Sequence, residues 1–488
     1  MTKGMPIDEL IALILNPRKQ NWAKNHQEAL DRLFGGHGRY PDKARNTLKL
    51  RAPEDIEVPY AAYIHPQNPD SGAYGGTSLV FFPPTDWTSG PCLIGFVVGT
   101  QGLSPDEGIL SRPGHARKVR AICSWLNQQA AGSAWAKQDP TRADVRIPET
   151  VVNRWPELGK ALRRYGAEVY GLFRPPADNV QLARNGLLAF LDLLVEERGY
   201  DPLSSSSSEA GRIRAQWFGC MMPATNEEDV LQLLLRRRFV ILQGPPGTGK
   251  THLAKRLLAE KFNHRGEIVQ FHANTTYENF IGGLAPVVDG SEVGLRFAPK
   301  RGYLLNAVAS AGDREFLLVV DEINRADLAK VLGEAIFLLE SEDPDREVSL
   351  AHDFGLPIGN RLRLPRNLHI LGTMNTADRS IALVDVAVRR RFAFVDMWPS
   401  YQVVHDHGCE LTKTYFRKTL SLFLEHASDD ALALVPGHSY FLEKDEQAAA
   451  RKLRFELVPL LNEYLAQGFV AGFAENVRAL IQEIEAMG

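Results

Sequence analysis

The stretch FVILQGPPGTGKTHLAKRLL, Phe239 to Leu258, decides the fold. It opens on an apolar run of strand character and closes on a helical pattern. Between them lies a glycine-rich turn, GPPGTGKT, from Gly244 to Thr251. Gly244, Gly247 and Gly249 let the backbone curl so that successive N–H groups point inward at phosphate oxygens. The helix that follows adds the positive end of its dipole. In such a loop the lysine, Lys250, reaches the β- and γ-phosphates, and the Thr251 hydroxyl ligates Mg²⁺. Gly244, Pro245, Pro246, Gly247, Thr248, Gly249, Lys250 and Thr251 are therefore the expected nucleotide-binding residues.

Two further segments follow in the order a nucleotide-driven motor needs. FLLVVDEINRA, Phe316 to Ala326, is a buried-strand pattern ending in Asp321-Glu322. An acidic pair at the carboxyl end of a parallel strand sits at the ligand edge of the sheet. Asp321 is expected to hold Mg²⁺ through water, and Glu322 to orient and polarise the attacking water. MNTADRS, Met374 to Ser380, follows another apolar strand, His369 to Thr373. A strand carrying such a polar sensor is expected between the phosphate-loop strand and the Asp-Glu strand, with Asn375 at the γ-phosphate or the lytic water. Asn375 and Asp378 also have the spacing of a guanine-reading Asn-Lys-x-Asp motif. A strand end faces phosphate, however, whereas a base reader sits beyond the ribose, so both are assigned to the catalytic edge. VDVAVRRRF, Val384 to Phe392, then gives three consecutive arginines. In a ring, Arg390 is expected to reach a neighbour's γ-phosphate, with Arg389 and Arg391 in reserve. The alternative is a solvated basic helix end, favoured there by the dipole.

Strands alternating with helices after residue 212 predict a parallel sheet covered on both faces. The expected core runs from 213 to 400, and a helical lid from 401 to 488. Thr225-Asn226-Glu227-Glu228 reads as a capping box opening a helix through Leu235. The string DPLSSSSSEAGR, 201 to 212, holds five consecutive serines and reads as a linker without regular structure. A shorter break is expected at Gly132 to Asp144. Residues 1 to 200 mix helical stretches (Ile7–Leu15, Gln27–Leu33, Lys118–Gln128, Leu182–Glu197) with short β-rich runs (Val58–Ile64, Ser78–Phe82, Cys92–Gly99). That is an α+β domain.

Taken together, the motifs resemble the AAA+ superfamily of P-loop NTPases, and within it the McrB branch. The resemblance covers roughly residues 215 to 470 and rests on VQFHANTTYENFIGG (269–283), DEINRADLAKVLGEAIFLLE (321–340), LGTMNTADRSIALVDVAVRRRF (371–392) and GHSYF (437–441). It implies a homo-oligomeric, hexameric ring that binds and hydrolyses GTP between protomers. It also implies translocation on DNA coupled to a separate McrC-like nuclease. Many relatives use ATP, so GTP is favoured on resemblance alone. The GHSYF segment offers His438 and Ser439 where other lids carry a sensor arginine, and His438 joins the expected nucleotide-binding residues. A MoxR-type protein-remodelling ATPase and a nucleotide-gated scaffold with little turnover are the competing readings.

The N-terminal domain is expected to carry target recognition, of modified DNA in the McrB reading, without a motif that names the modification. Arg112, His115, Arg117, Lys118 and Arg120 gather near a glycine-rich turn, with Tyr60, Tyr63, Phe81, Phe82 and Trp87 close in sequence. Basic and aromatic residues together can grip phosphates and stack a flipped base, although alternating aromatics in strands are more often core. Net charge is −3, which excludes a generally basic surface. The four cysteines, Cys92, Cys123, Cys220 and Cys409, have neither disulfide-framework nor zinc spacing. No nuclease or hydrolase constellation stands out. No apolar run is long enough for a membrane span or a signal peptide, so a cytoplasmic protein is expected.

Overall fold

The computed structural model describes residues 6–53, 56–287, 296–340, 345–377 and 385–487. Asp378 lies outside them. The chain divides into two compact units, Met1–Pro223 with Leu424–Ala427, and Ala224–Phe423 with Ser428–Gly488.

The N-terminal unit is built on a six-stranded antiparallel sheet: β1 (Lys49–Arg51), β2 (Ala61–Ile64), β3 (Thr77–Phe82), β4 (Leu93–Val98), β5 (Ala134–Ala136) and β6 (Val169–Phe173), in the order β1-β2-β3-β4-β6-β5. Strand alternation sends Tyr63, Leu79 and Phe81 to one face, where they pack with residues of Pro6–Leu15, Pro113–Gln129 and Val180–Glu196. Ala62, Val80 and Phe82 go to the other face, against Val151, Leu158 and Leu162. Both faces are covered, so β3 and β4 are buried at every position.

Two expectations fail here. The serine run is not a linker: it forms the first turns of a helix, Ser204–Phe218. Downstream residues Ala210, Ile213 and Trp217 recur at helical spacing and are buried, with Ile213 and Trp217 in the core of this unit. Glu209 adds ion pairs to Arg39 and Arg184. Packing of one apolar stripe outweighs the weak helix propensity of serine. The break expected at Gly132–Asp144 contains β5, which pairs with β6. By compactness the boundary falls after Pro223 rather than in the serine run.

The second unit carries a five-stranded parallel sheet. Its strands are β7 (Phe239–Gly244), β8 (Gly266–Gln270), β11 (Phe316–Asp321), β14 (Leu368–Asn375) and β15 (Ala393–Asp396), in the order β15-β7-β14-β11-β8. Two small antiparallel pairs complete the strand set, β9 (Gly282–Val287) with β10 (Arg296–Arg301), and β12 (Val348–Ser349) with β13 (Arg361–Leu362). Along β7, Phe239 and Ile241 enter one core while Val240 and Leu242 enter the other. Helices Glu227–Arg237 and Lys250–Glu260 cover one face, and Tyr303–Ala311 and Leu328–Leu332 the other. The first of these helices is capped by the Asn226 side chain, which accepts from the Glu228 N–H, rather than by Thr225. The Thr225 hydroxyl donates instead to the Asp396 carbonyl. From Tyr401 onward the described chain is helical, including Glu410–His426, Val458–Ala466 and Ala474–Glu485. No helix among the described residues is long and apolar enough to cross a membrane.

Candidate functional site

The carboxyl ends of β7, β14 and β11 lie side by side, with Asn375 in register with Gly244 and Val320 with Gly372. The glycine-rich loop leaves β7 at this edge. Gly244, Gly247 and Gly249 have φ of +156°, +79° and +80°, values that L side chains rarely adopt. Space is equally restrictive. A Cβ on Gly244 would meet the Met397 carbonyl oxygen at 2.2 Å, and one on Gly247 the Ser439 Oγ at 2.3 Å. Lys250 caps the loop from inside, its Nζ donating to the Gly244 and Pro245 carbonyls at 2.9 and 2.6 Å. Burial pushes its ammonium down to about 8, against the pull of Glu322 and Asp321. The Thr248 hydroxyl donates to the Pro245 carbonyl at 3.0 Å and holds the loop closed.

Asp321 and Glu322 follow β11. Two hydroxyls converge on Asp321 Oδ1: Thr251 Oγ1 at 2.7 Å and Thr373 Oγ1 at 2.5 Å. The Thr373 oxygen also accepts the Glu322 N–H at 3.1 Å. Glu322 sits in the left-handed region, φ +53°. Such a conformation costs a non-glycine residue about 1–3 kcal/mol and persists only where neighbours enforce it. Here Asn375 Nδ2 donates to Glu322 Oε1 at 2.5 Å, and Arg325 Nε lies 3.4 Å from Oε2. The site therefore brings together Lys250, Thr251, Asp321, Glu322 and Asn375. Thr251 and Asp321 could share a divalent cation, the remaining ligands being phosphate and water.

The turn His438–Phe441 closes over the loop. Gly437 N–H donates to the Pro246 carbonyl and Ser439 N–H to the Gly247 carbonyl, both at 3.0 Å. His438 Nδ1 accepts from the Ser400 N–H at 3.2 Å, and its Nε2 lies 3.5 Å from a Cβ built on Gly249. Burial, with His252 and Lys250 nearby, pushes its imidazole down to about 4, so it is neutral at pH 7.

The three arginines diverge. Arg389 lies over the Phe394 ring, its guanidinium carbon 5.3 Å from the centroid. Arg390 is 66% exposed and 3.6 Å from Glu340. Arg391 is buried, donates to the Ala387 carbonyl at 2.7 Å and lies 3.4 Å from Glu340. Arg391 is thus held within its own fold, while Arg389 and Arg390 are exposed. Sequence reasoning missed Thr373, whose signal was a lone hydroxyl at the end of an apolar strand.

The basic–aromatic cluster of the N-terminal unit does not assemble as expected. His115 and Arg117 are buried, and Arg112 and Lys118 pair with Glu197. Tyr63 and Phe81 are core. Tyr60 and Phe82, on the other face, join Tyr165 in the wall of a cavity of about 660 Å³, which Arg51, Glu57, Arg164 and Glu168 also line. The ring centroids are 6.3 Å apart for Tyr60–Phe82, 6.0 Å for Tyr60–Tyr165 and 5.6 Å for Phe82–Tyr165.

Comparison with known proteins bears on the second unit. Residues 239–392 match the family model of the AAA domain, dynein-related subfamily. The chain is 35% identical over 268 residues to the type IV methyl-directed restriction enzyme EcoKMcrB subunit of Escherichia coli K12, covering 50% of this chain and 57% of that protein. It is 30% identical over 266 residues to the type II restriction enzyme BsuMI component YdiS of Bacillus subtilis 168, covering 44% and 75%. The chain thus spans little more than half the length of the first relative. Among solved structures, the RuvB Holliday junction branch migration motor of Thermotoga maritima aligns at 17% identity over 53% of this chain and 69% of that one, with a TM-score of 0.23.

Proposed function

The chain belongs to the McrB-like branch of the AAA+ family, and we propose that it is a Mg²⁺-dependent nucleoside triphosphatase motor, preferring GTP to ATP, that drives a separate McrC-like nuclease on DNA. The observation that carries this is the convergence of Lys250, Thr251, Asp321, Glu322 and Asn375 at one edge of adjacent parallel strands. Lys250 exchanges its loop carbonyls for phosphate oxygens, whose charge restores an ammonium that burial weakens. Thr251 and Asp321 would hold the cation, which would supply charge neutralisation for the phosphate groups. Glu322, aimed by Asn375, polarises the attacking water. Arg390 completes the site of a neighbouring protomer in a hexameric ring. The preference for GTP rests on likeness to the McrB branch.

Both named relatives are restriction-enzyme components, which supports restriction over protein remodelling. The N-terminal unit supplies target recognition in this reading, and its aromatic cavity supports a DNA strand as the target. A cytoplasmic location follows from such a role. Hydrolysis of GTP and ATP by wild type and Glu322→Gln tests the engine. The variant should bind nucleotide and lose turnover; normal turnover would remove Glu322 from its role, and a wild type inert to both nucleotides would end the motor reading.

A further inference from the structure

Two exposed apolar side chains of the second unit stand beside the arginine segment. Phe337 is 57% exposed and Val386 78%. Phe337 projects from the turn Gly333–Leu338, between the buried Ala335 and Leu338, and the Arg391 guanidinium carbon lies 5.9 Å from its ring centroid. Val386 opens the short helix Val386–Arg389, and its carbonyl accepts the Arg390 N–H at 3.1 Å. Glu340 joins the two segments, lying 2.8, 3.6 and 3.4 Å from Arg346, Arg390 and Arg391. Water gains nothing from such a patch, and an aromatic ring seated on a buried guanidinium loses little freedom when something covers it.

The chain itself carries a surface that fits. Charge is the first sign: around Phe337, Arg346, Arg389, Arg390 and Arg391 outnumber Glu340 and Asp385. At the nucleotide edge Asp321 and Glu322 stand against Lys250 and Arg325, so a bound triphosphate makes that edge strongly negative. A second apolar group lies on the nucleotide side. Phe455 is 70% exposed and projects from the π turn Leu453–Leu457, whose end residues are buried. This wide turn precedes Pro459, which has no N–H to give the preceding carbonyls. It packs against the turn His438–Phe441, where the Tyr440 ring comes within 3.2 Å of a Cβ built on Gly247. Phe455 thus borders the glycine-rich loop, and Phe337 borders the arginines. Both are exposed, so neither covers the other within one chain.

Resting on the reading that the subunits form a ring in which Arg390 acts in trans, we infer that Phe455 of one copy packs on Phe337 and Val386 of the next. This apolar contact, and not Arg390, supplies most of the affinity of assembly. The interface is heterologous, each copy offering a different patch on each side, which is the arrangement that closes into a ring. Buried aromatic side chains dominate interfaces of this kind, whereas exposed charges steer and orient. The aromatic contact is therefore present with an empty loop. The basic face adds an increment that depends on nucleotide, because only the loaded edge is strongly negative.

The test follows assembly of the full chain by sedimentation velocity over a range of protein concentrations, without nucleotide and with non-hydrolysable analogues of GTP and ATP. Phe337→Ser and Phe455→Ser should each raise the concentration needed for assembly by at least about tenfold, in whichever nucleotide states wild type assembles. Both should melt like wild type, since both side chains are exposed; Val386→Ser reads the same patch if Phe337→Ser fails to fold. The double variant should be little worse than either single one, because the two rings share one contact. Mixing the two single variants rebuilds one intact junction per pair, so the mixture should give two-subunit species and no closed ring. Arg390→Ala should lower only the increment that nucleotide adds. Single variants that all assemble like wild type overturn the inference and give the patch to a different chain. A double variant weakened by the product of the single effects overturns the pairing of Phe455 with Phe337. A wild type that stays monomeric with every nucleotide ends the ring reading itself, which is distinct from a ring indifferent to both phenylalanines.

Discussion

Replacing Thr373 with valine removes one hydroxyl from the nucleotide edge while keeping the β-branched shape. Thr373 is 2% exposed, so water does not readily substitute. Its oxygen serves two partners, donating to Asp321 Oδ1 at 2.5 Å and accepting the Glu322 N–H at 3.1 Å. A lost bond to a carboxylate costs about 1.5–3 kcal/mol, and an orphaned buried N–H about 1–3 kcal/mol. The added methyl returns about 0.8 kcal/mol of apolar burial. The net loss is therefore at least about 2 kcal/mol, which lowers the melting temperature of a unit this size by roughly 4–8 °C. The catalytic effect is separable. With Thr251 engaged by a cation, Thr373 would be the hydroxyl left on Asp321, and it also accepts the N–H of the strained Glu322. Turnover should fall by about tenfold, an activation cost of about 1.4 kcal/mol, with little change in KM. Thermal denaturation without nucleotide and steady-state GTP and ATP hydrolysis read the two effects. Thr373→Ser, which keeps the hydroxyl, should recover most of both. A valine variant that melts and turns over like wild type, or a serine variant as damaged as valine, would refute the role given to this hydroxyl.

The arginines should separate by assay. Arg391→Ala should lower stability by about 2 kcal/mol, because it removes a buried guanidinium that bonds the Ala387 carbonyl, while Glu340 keeps Arg346 and Arg390 as partners. Arg390→Ala should leave the melting temperature unchanged and reduce hydrolysis in trans, as assayed by mixing it with Glu322→Gln subunits. Gly437→Ala should weaken nucleotide binding, since its Cβ would lie 2.1 Å from the Gly247 carbonyl carbon and must push the turn off the loop; an unchanged Kd by equilibrium dialysis would count against that docking. The N-terminal unit should be acid-labile through His26, whose imidazole burial drives down from 6.5 to about 3. The folded form resists a proton that the unfolded chain accepts, so stability is complete above pH 6.5 and declines below it. The slope is about 1.4 kcal/mol per pH unit between 6.5 and 3, and denaturant titrations of His26→Phe should show it flattened.

The engine was legible in the sequence because its chemistry is local. Loop glycines, the lysine and the strand-end acids are each fixed by neighbours in the chain, and the strand order placed β14 between β7 and β11 as expected. What was not legible depends on distant packing. Serine has no strong reason to be helical until Ile213 and Trp217, further along the same helix, find the core of the first unit. The Ala134–Ala136 strand is too short to announce itself and exists because β6 offers it an edge. The cavity draws on Arg51 and Tyr60 from one side and Tyr165 and Glu168 from the other, more than a hundred residues apart. Tyr60 and Tyr63 looked equivalent in sequence. Strand alternation made one a cavity wall and the other a core residue.

The central position of β14 gives the nucleotide edge its coupling. Thr373 and Asn375 point to the acids after β11, one to the Asp321 carboxylate and the other to Glu322. The next residue, Thr376, donates its N–H to the Gly244 carbonyl at 3.1 Å, and its hydroxyl to the Ala433 carbonyl at 2.9 Å. Three positions within four residues, Thr373, Asn375 and Thr376, therefore touch the glycine-rich loop, the acids and the C-terminal helical segment. Glu322 occupies a backbone conformation that its own chain disfavours, and two of the groups that hold it there, Thr373 Oγ1 and Asn375 Nδ2, belong to this one strand end. The glycine-rich loop, the two acids after β11 and the C-terminal helical segment thus meet at one short strand end.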